Sequence, residues 1–197
     1  AVLDEIEMII DCGGSNMNTT QVWGNYKSVV EYYVNQGTAY YAISDVIGSS
    51  LETMEIAENV TLTFLNNRYY GIKSANPNDT SIGFYLRYYD TYLCMFGDAE
   101  EKAEASFMAL NRKFTTEADT VIYKANHHGS NGSNKEDFLN WLQPDYCLIS
   151  SAIVNAGGTV NFDQHPYYDA VTRIARHTQE IYWNGITGTL HFEVTKD

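Results

Sequence analysis

Apolar and polar positions along this chain follow the periods of strands and helices in turn. Alternation at Leu62, Phe64 and their neighbours predicts a strand, whereas Ala103 and Phe107 begin a run with helical spacing that extends to Leu110 and Phe114. The same reasoning predicts further strands at 5–10, 119–125, 145–150, 180–183 and 188–194. It predicts helices at about 25–35, 134–142 and 166–177.

Residues 81–97 give the clearest pattern. Two strand-like runs flank Asp90 and Thr91, which predicts a hairpin. Its second strand, Tyr92–Phe96, is apolar throughout, so we expect it to be central and buried in its sheet. Because strands and helices alternate from here onward, the chain is expected to fold as one α/β (α+β) domain over residues 1–197.

Composition narrows the class of protein. Among the 197 residues, 44% are hydrophobic and 14% aromatic, which is too apolar for a disordered chain. No uninterrupted apolar run exceeds five residues, so the printed sequence contains no candidate membrane span. The three cysteines are widely separated, which argues against a disulfide framework, and Cys94 and Cys147 are expected to be buried.

Charge excludes one partner class outright. Twelve Lys and Arg stand against 25 Asp and Glu, giving a net charge of −13. A surface this acidic repels phosphate, so the chain is not a basic nucleic-acid binder, and any phosphate ligand requires bound cations or a local exception to the acidic surface.

Candidate chemistry lies where predicted strands end. Asp98 follows the strand 92–96, His127 and His128 follow the strand 119–125, and His165 precedes a predicted helix. In α/β folds ligands bind beyond the carboxyl ends of strands, and carboxylate and imidazole groups are ligands for Zn²⁺ or Mn²⁺.

Each candidate also has a structural interpretation. Asp98 precedes a helix with Glu101 three residues later, which is the arrangement of a capping box. His127 and His128 could form a solvated turn, and His165 before Pro166 could mark only a helix start. Sequence alone leaves these alternatives open.

An ordered series of motifs resembles the metallo-β-lactamase-like hydrolase domain of the ComEC, or competence, type. The resemblance covers roughly residues 50–194. The motifs are Asn78-Asp-Thr-Ser81, Phe96-Gly-Asp-Ala-Glu100, Lys124-Ala-Asn-His-His-Gly-Ser130, Leu142-Gln-Pro-Asp145, Ile149-Ser-Ser151, His165-Pro166 and Thr187-Gly-Thr-Leu190.

The resemblance implies an αββα sandwich with a one- or two-metal site, holding Zn²⁺ or Mn²⁺, at one edge. It implies that Asp98 bridges the metals and that His127 or His128 supplies an imidazole, with Asp98 and His128 catalytic. His165 would be a ligand or would contact substrate. It further implies that Ser81, Ser130 and Ser151 line the substrate pocket. The implied reaction is phosphodiester hydrolysis by a metal-activated hydroxide. The implied location is extracellular or at the cell surface of a bacterium.

One departure from that family matters. Its His-x-His-x-Asp-His ligand motif is absent, and all five histidines lie at or after position 127. We therefore expect the chain to be the C-terminal two-thirds of such a domain, to bind divalent metal weakly or not at all, and to be inactive alone. Self-association, or pairing with a missing N-terminal part, is expected as well. The alternatives are a degenerate, non-catalytic binding module and a hydrolase of small esters or lactones.

Overall fold

The computed structural model describes residues 6–13, 20–72, 76–111, 118–153 and 165–196. Nine strands are described: β1 Met8–Asp11, β2 Ala39–Ala42, β3 Thr53–Ala57, β4 Val60–Leu65, β5 Gly83–Tyr88, β6 Thr91–Met95, β7 Thr120–Lys124, β8 Tyr146–Ile149 and β9 Glu180–Trp183. Six helices are described: α1 Gln21–Asn35, α2 Ile43–Val46, α3 Glu101–Leu110, α4 Glu136–Leu142, α5 Tyr168–Ile174 and α6 Asn184–Thr187. Short 3₁₀ turns lie at Pro77–Thr80 and Asn126–Gly129.

Seven strands form one mixed sheet in the order β3-β4-β5-β6-β7-β8-β9. The strands from β3 to β6 pair antiparallel, and those from β6 to β9 pair parallel. Helices connect the parallel strands, as crossover connections require. A second, two-stranded sheet pairs β1 with β2 in parallel, and α1 is the crossover between them.

An aromatic cluster forms the centre of the core. The Phe96 ring, fully buried at the end of β6, lies 5.1 Å from Phe107 of α3 and 5.0 Å from Phe138 of α4, centroid to centroid. Edge-to-face pairs at these distances add to the burial energy of the rings. Because Phe96 immediately precedes Gly97 and Asp98, this packing fixes the position of the loop that carries the candidate carboxylate.

The predicted α/β class is confirmed, since the sheet is mixed and helices connect its parallel strands. The hairpin is present with β6 as the fourth of seven strands, and Cys94 and Cys147 are buried. The strand predicted over 188–194 is wrong, because residues 189–196 form neither strand nor helix. Phe114, which was expected to extend α3, lies outside the described residues.

None of the helices in the described ranges combines the length and apolar character that spanning a membrane requires.

Candidate functional site

Two neighbouring loops form the base of the site. Because β6 and β7 are adjacent and parallel, their carboxyl ends bring Gly97-Asp98 beside the turn Asn126–Gly129. The backbone N–H of His127 donates to the carbonyl of Gly97 over 3.1 Å. The sheet register therefore brings together the Asp98 and His127-His128 motifs that are separate in the sequence.

The histidine turn has an unusual backbone. His127 and His128 both adopt left-handed conformations, with φ of 45° and 55°. Such angles cost roughly 1–3 kcal/mol each and persist only where surrounding contacts impose them. A buried polar network beneath the turn supplies those contacts.

Glu104 is the centre of that network. Its Oε1 accepts hydrogen bonds from Asn126 Nδ2 at 2.9 Å and Asn134 N at 2.6 Å, and its Oε2 accepts from Lys135 N at 3.0 Å. Burial raises the pKa of Glu104 from its ordinary 4.5 to about 7, although these hydrogen bonds act in the opposite direction. The fully buried Tyr123 hydroxyl extends the network by donating to Asn134 Oδ1 and accepting from Asn126 N.

Asp98 and His128 face each other across the two loops. His128 Nε2 lies 3.6 Å from Asp98 Oδ1, and both side chains are about 40% exposed, at 42% and 43%. The Nδ1 atom of His128 lies 2.5 Å from the Ser150 carbonyl, which can only accept, so Nδ1 carries the proton. Nε2 is therefore the ring nitrogen that faces the Asp98 carboxylate, and metal-binding histidines are commonly oriented by such a bond from the other ring nitrogen.

His127 is held by a different carboxylate. Its Nδ1 lies 3.2 Å from Glu100 Oε1, and Glu100 also accepts hydrogen bonds from the side-chain amides of Asn76 and Asn78. Burial alone would raise the pKa of Glu100, but the bonds from Asn78 and Asn76 and the nearby His127 lower it overall. His127 and Glu100 thus form a second pair of imidazole and carboxylate beside the first.

His165 completes the cluster of three imidazoles. Its ring lies 4.8 Å from that of His127 and 6.5 Å from that of His128, centroid to centroid. This approach depends on Gly129, where a Cβ atom would lie 2.6 Å from Pro166 Cβ. His165 Nδ1 is buried without a hydrogen-bond partner among the described residues, and burial followed by the two neighbouring histidines lowers its pKa.

The three predicted pocket serines lie at or near these loops, and each has a backbone or side-chain partner. Ser81 Oγ accepts from the Asp98 N–H at 3.1 Å, and Ser130 Oγ accepts from the Gly132 N–H at 3.2 Å. Ser151 Oγ accepts from the Trp183 indole at 2.8 Å. Contact of these serines with a substrate stays a prediction.

The two helix-start interpretations are wrong. α3 begins at Glu101 with Glu100 at its N-cap, and no side chain caps it, so Asp98 is not a capping residue. α5 begins at Tyr168, which places Pro166 before the N-cap Tyr167 and not at the first helical position. Both predictions placed the helix start too early in the sequence.

Sequence reasoning missed two acidic residues of the site. Glu100 lies in the motif Phe96–Glu100 and Glu104 lies in the run with helical spacing, but the sequence pattern indicates no role for either. The signal for Glu104 was its place between Ala103 and Phe107, both of which are fully buried. A carboxylate next to core positions in an amphipathic helix requires partners inside the protein.

The donor set does not by itself make a complete metal centre. Within the described ranges, no three His, Cys, Asp or Glu side chains are arranged to hold an ion. Asp98 and His128 supply two facing donors, whereas Zn²⁺ sites take three or four protein ligands. The described residues therefore account for part of a metal site only.

Comparison with known proteins gives two relatives and no match to a family model. The chain is 28% identical to ComE operon protein 3 of Bacillus subtilis (strain 168) over 118 residues, which is 60% of this chain and 14% of that protein. It is 29% identical to competence protein ComA of Neisseria gonorrhoeae over 100 residues, or 51% of this chain and 13% of that protein. The chain is thus similar to a small part of each of two much longer proteins.

Proposed function

We propose that this chain contributes one wall of a metal-dependent phosphodiesterase site of the metallo-β-lactamase-like, ComEC type, with a role linked to DNA uptake. The observation that carries the proposal is the pairing of Asp98 with His128 at the carboxyl ends of β6 and β7, within a cluster of three histidines. Similarity to two competence proteins supports the DNA-uptake role. A bacterial extracellular or cell-surface location belongs to the same proposal.

The residues of this chain have distinct roles in the proposed site. Asp98 and His128 bind Zn²⁺ or Mn²⁺, whose chemistry when bound is to activate water and offset phosphate charge. Glu100 fixes the orientation of the His127 ring, and His165 contacts either the ion or the substrate. The remaining ligands come from outside the described residues, because two donors cannot hold Zn²⁺ tightly.

Metal binding by the chain itself tests whether Asp98 and His128 are metal ligands. Titration calorimetry with Zn²⁺ is expected to show weak binding that falls at least about tenfold in Asp98→Asn and His128→Gln, since each removes one of two donors. His177→Gln is the matched control, because His177 forms a similar pair with Glu136 over 3.1 Å at another place in the fold. Equal binding by wild type and the Asp98 and His128 variants would overturn the assignment.

Hydrolysis assays test the proposed phosphodiesterase activity. The complete natural polypeptide that carries this chain is expected to hydrolyse bis-p-nitrophenyl phosphate or single-stranded DNA with added metal, and the 197-residue chain alone to be inactive. Asp98→Asn should abolish activity in the complete polypeptide. Turnover that persists in this variant, or preferential turnover of a lactone, would refute the proposed role or substrate.

A non-catalytic binding module is the second candidate. The incomplete donor set among the described residues favours it. In that case the complete polypeptide shows no hydrolysis of any of these substrates with either metal, although it still folds and binds its partner.

A further inference from the structure

A cavity separate from the histidine cluster lies at the carboxyl end of β1. It has a volume of about 520 Å³, and its walls come from Asp11 and Cys12, the start of α1, and Pro77. Pockets of this size accommodate small organic ligands. In α/β units, the carboxyl end of a strand next to the start of its crossover helix is also the usual location of ligands.

A stacked aromatic pair lines this cavity. Trp23 and Tyr26 in the first turns of α1 stack on each other with their centroids 5.0 Å apart and their planes 23° from parallel. Both residues line the cavity. Such a pair favours a planar guest, because a ring that packs on the outer face of the pair extends the stack.

Asp11 provides a hydrogen-bond acceptor in the same cavity. Its carboxylate accepts from the Tyr26 hydroxyl, the Tyr40 hydroxyl and the Gly13 N–H, each over 2.7 Å. A carboxylate offers about four acceptor positions, so the three bonds from described residues leave one of them for a ligand. The three bonds hold the carboxylate in place beside the ring pair, and its charge disfavours an anionic guest.

The cavity adjoins the candidate site through one turn. Pro77 lines the cavity and begins the turn Pro77–Thr80. On that turn, Asn78 Nδ2 donates to Glu100 and lies 3.5 Å from His127 Nδ1. A ligand in the cavity is therefore separated from the histidine cluster by a single turn of chain.

We infer that the cavity walled by Trp23, Tyr26 and Asp11 is a binding site for a planar nitrogen heterocycle that carries an N–H donor. The ring extends the stack formed by Trp23 and Tyr26, and the N–H group donates to Asp11. This inference concerns binding and does not depend on hydrolysis or on metal at Asp98 and His128.

Adenosine is the test ligand, and purine riboside, which lacks the amino group, is its matched comparison. In ¹⁵N-resolved NMR spectra of the full chain, adenosine is expected to shift the indole signal of Trp23. The indole signals of Trp141 and Trp183, which lie outside the cavity, should stay fixed. Purine riboside should bind at least about fivefold more weakly, as it lacks the bond to Asp11.

Variants separate the stacking contact from the hydrogen bond. Affinity, followed at the Thr20 amide, should fall at least about fivefold in Trp23→Ala and be retained in Trp23→Phe, which keeps a flat ring. Asp11→Ala, which removes the acceptor oxygens, should remove the preference for adenosine over purine riboside. Tyr32→Ala, a change at an exposed position of α1, serves as the control that leaves binding unchanged.

Three outcomes would overturn the inference. The first is a Trp23 indole signal that does not move at about 10 mM adenosine, which corresponds to binding weaker than about 3 kcal/mol. The second is an affinity for adenosine in Trp23→Ala equal to that of wild type. The third is an equal affinity of the wild-type chain for adenosine and purine riboside. Because adenosine has no phosphate, its binding should also be unaffected by Asp98→Asn. Loss of binding in Trp23→Ala together with an inactive complete polypeptide would leave the cavity assigned and the hydrolase refuted.

Discussion

At the scale of the residue, Glu104 is a carboxylate whose burial lowers the free energy of unfolding. Its carboxylate is fully buried and accepts hydrogen bonds from N–H donors of Asn126, Asn134 and Lys135. Those donors favour the ionised form, whereas burial opposes it more strongly, so the pKa rises to about 7. The stability of the fold should therefore depend on pH through Glu104.

The free energy of unfolding should decrease as pH rises, because of Glu104. Between its unfolded value near 4.5 and its folded value of about 7, the unfolded chain releases the proton first, so ionisation favours unfolding. The loss attributable to this group is about 3 kcal/mol, complete above pH 7. Urea unfolding of wild type and Glu104→Gln at pH 4.5 and 8 measures it, with the variant expected to lack this component.

Glu136→Gln is the control for that experiment. Glu136 pairs at the surface with His177 and Arg176, and these contacts lower its pKa, so its pH dependence has the opposite sign. If Glu104→Gln and wild type lose stability in parallel between pH 4.5 and 8, Glu104 does not titrate in this window.

Sequence predicted the residues of the site better than their contacts. Asp98, His127, His128 and His165 became candidates because each follows a strand or precedes a helix, and the parallel register of β6 and β7 brings the loops of Asp98 and of His127 and His128 together. The sequence did not show which carboxylate faces which imidazole. That choice depends on the left-handed backbone at His127 and His128 and on the network below it, which arise from tertiary packing.

At the scale of the element, α1 depends on its own capping more than on burial. None of its residues is buried, and Thr20 Oγ1 accepts a hydrogen bond from the Trp23 N–H at the N-terminus. Thr20→Ala should destabilise α1 by about 1 kcal/mol. Amide hydrogen exchange should show faster exchange over α1 and unchanged exchange in β6.

Ser28→Ala is the comparison for Thr20→Ala within the same helix. The Ser28 hydroxyl only donates back to the Gly24 carbonyl over 3.2 Å, and alanine has the higher helix propensity. Exchange over α1 should therefore be equal to wild type or slower. Faster exchange in Ser28→Ala than in Thr20→Ala would contradict a role for the cap.

The contact between β5 and α3 has no room for an added methyl group. A Cβ atom at Gly83 would lie 2.6 Å from Phe107 Cε1, whereas one at Gly24 in α1 would meet nothing within 4 Å. Gly83→Ala should destabilise the protein by about 1–3 kcal/mol through overpacking. Gly24→Ala should stabilise it by about 0.5–1 kcal/mol. Thermal unfolding of both variants tests these two predictions, and an unchanged unfolding midpoint in Gly83→Ala would contradict the overpacking.

The elements that sequence missed share a physical cause. Strand β2 is the short apolar run Ala39–Ala42, with no alternation to reveal it, and β3 is an edge strand that is largely exposed. The segment 188–194 shows the opposite case, because it alternates without forming a strand. Alternation shows which face of a strand would be buried, but a strand also requires a neighbour with which to pair.

At the scale of the whole molecule, net charge and exposed apolar surface have opposite effects on self-association. The net charge of −13 repels a second copy, whereas Val22, Val29 and Tyr32 form an apolar stripe along α1 with exposed fractions of 78%, 53% and 58%. Residues 22, 29 and 32 share one side of a helix by their spacing. The balance between repulsion and burial then depends on ionic strength.

Self-association through this stripe should strengthen with salt. Raising NaCl from about 20 mM to about 500 mM screens the repulsion between copies and leaves apolar burial intact, so sedimentation equilibrium should show more dimer. Val29→Lys should abolish the dimer even though it lowers the negative charge by one. Ile56→Lys, with the same charge change at a residue of β3 that is also 53% exposed, should dimerise like wild type or more strongly. A monomer at every salt and protein concentration, or equal loss in both variants, would rule out the stripe as the interface.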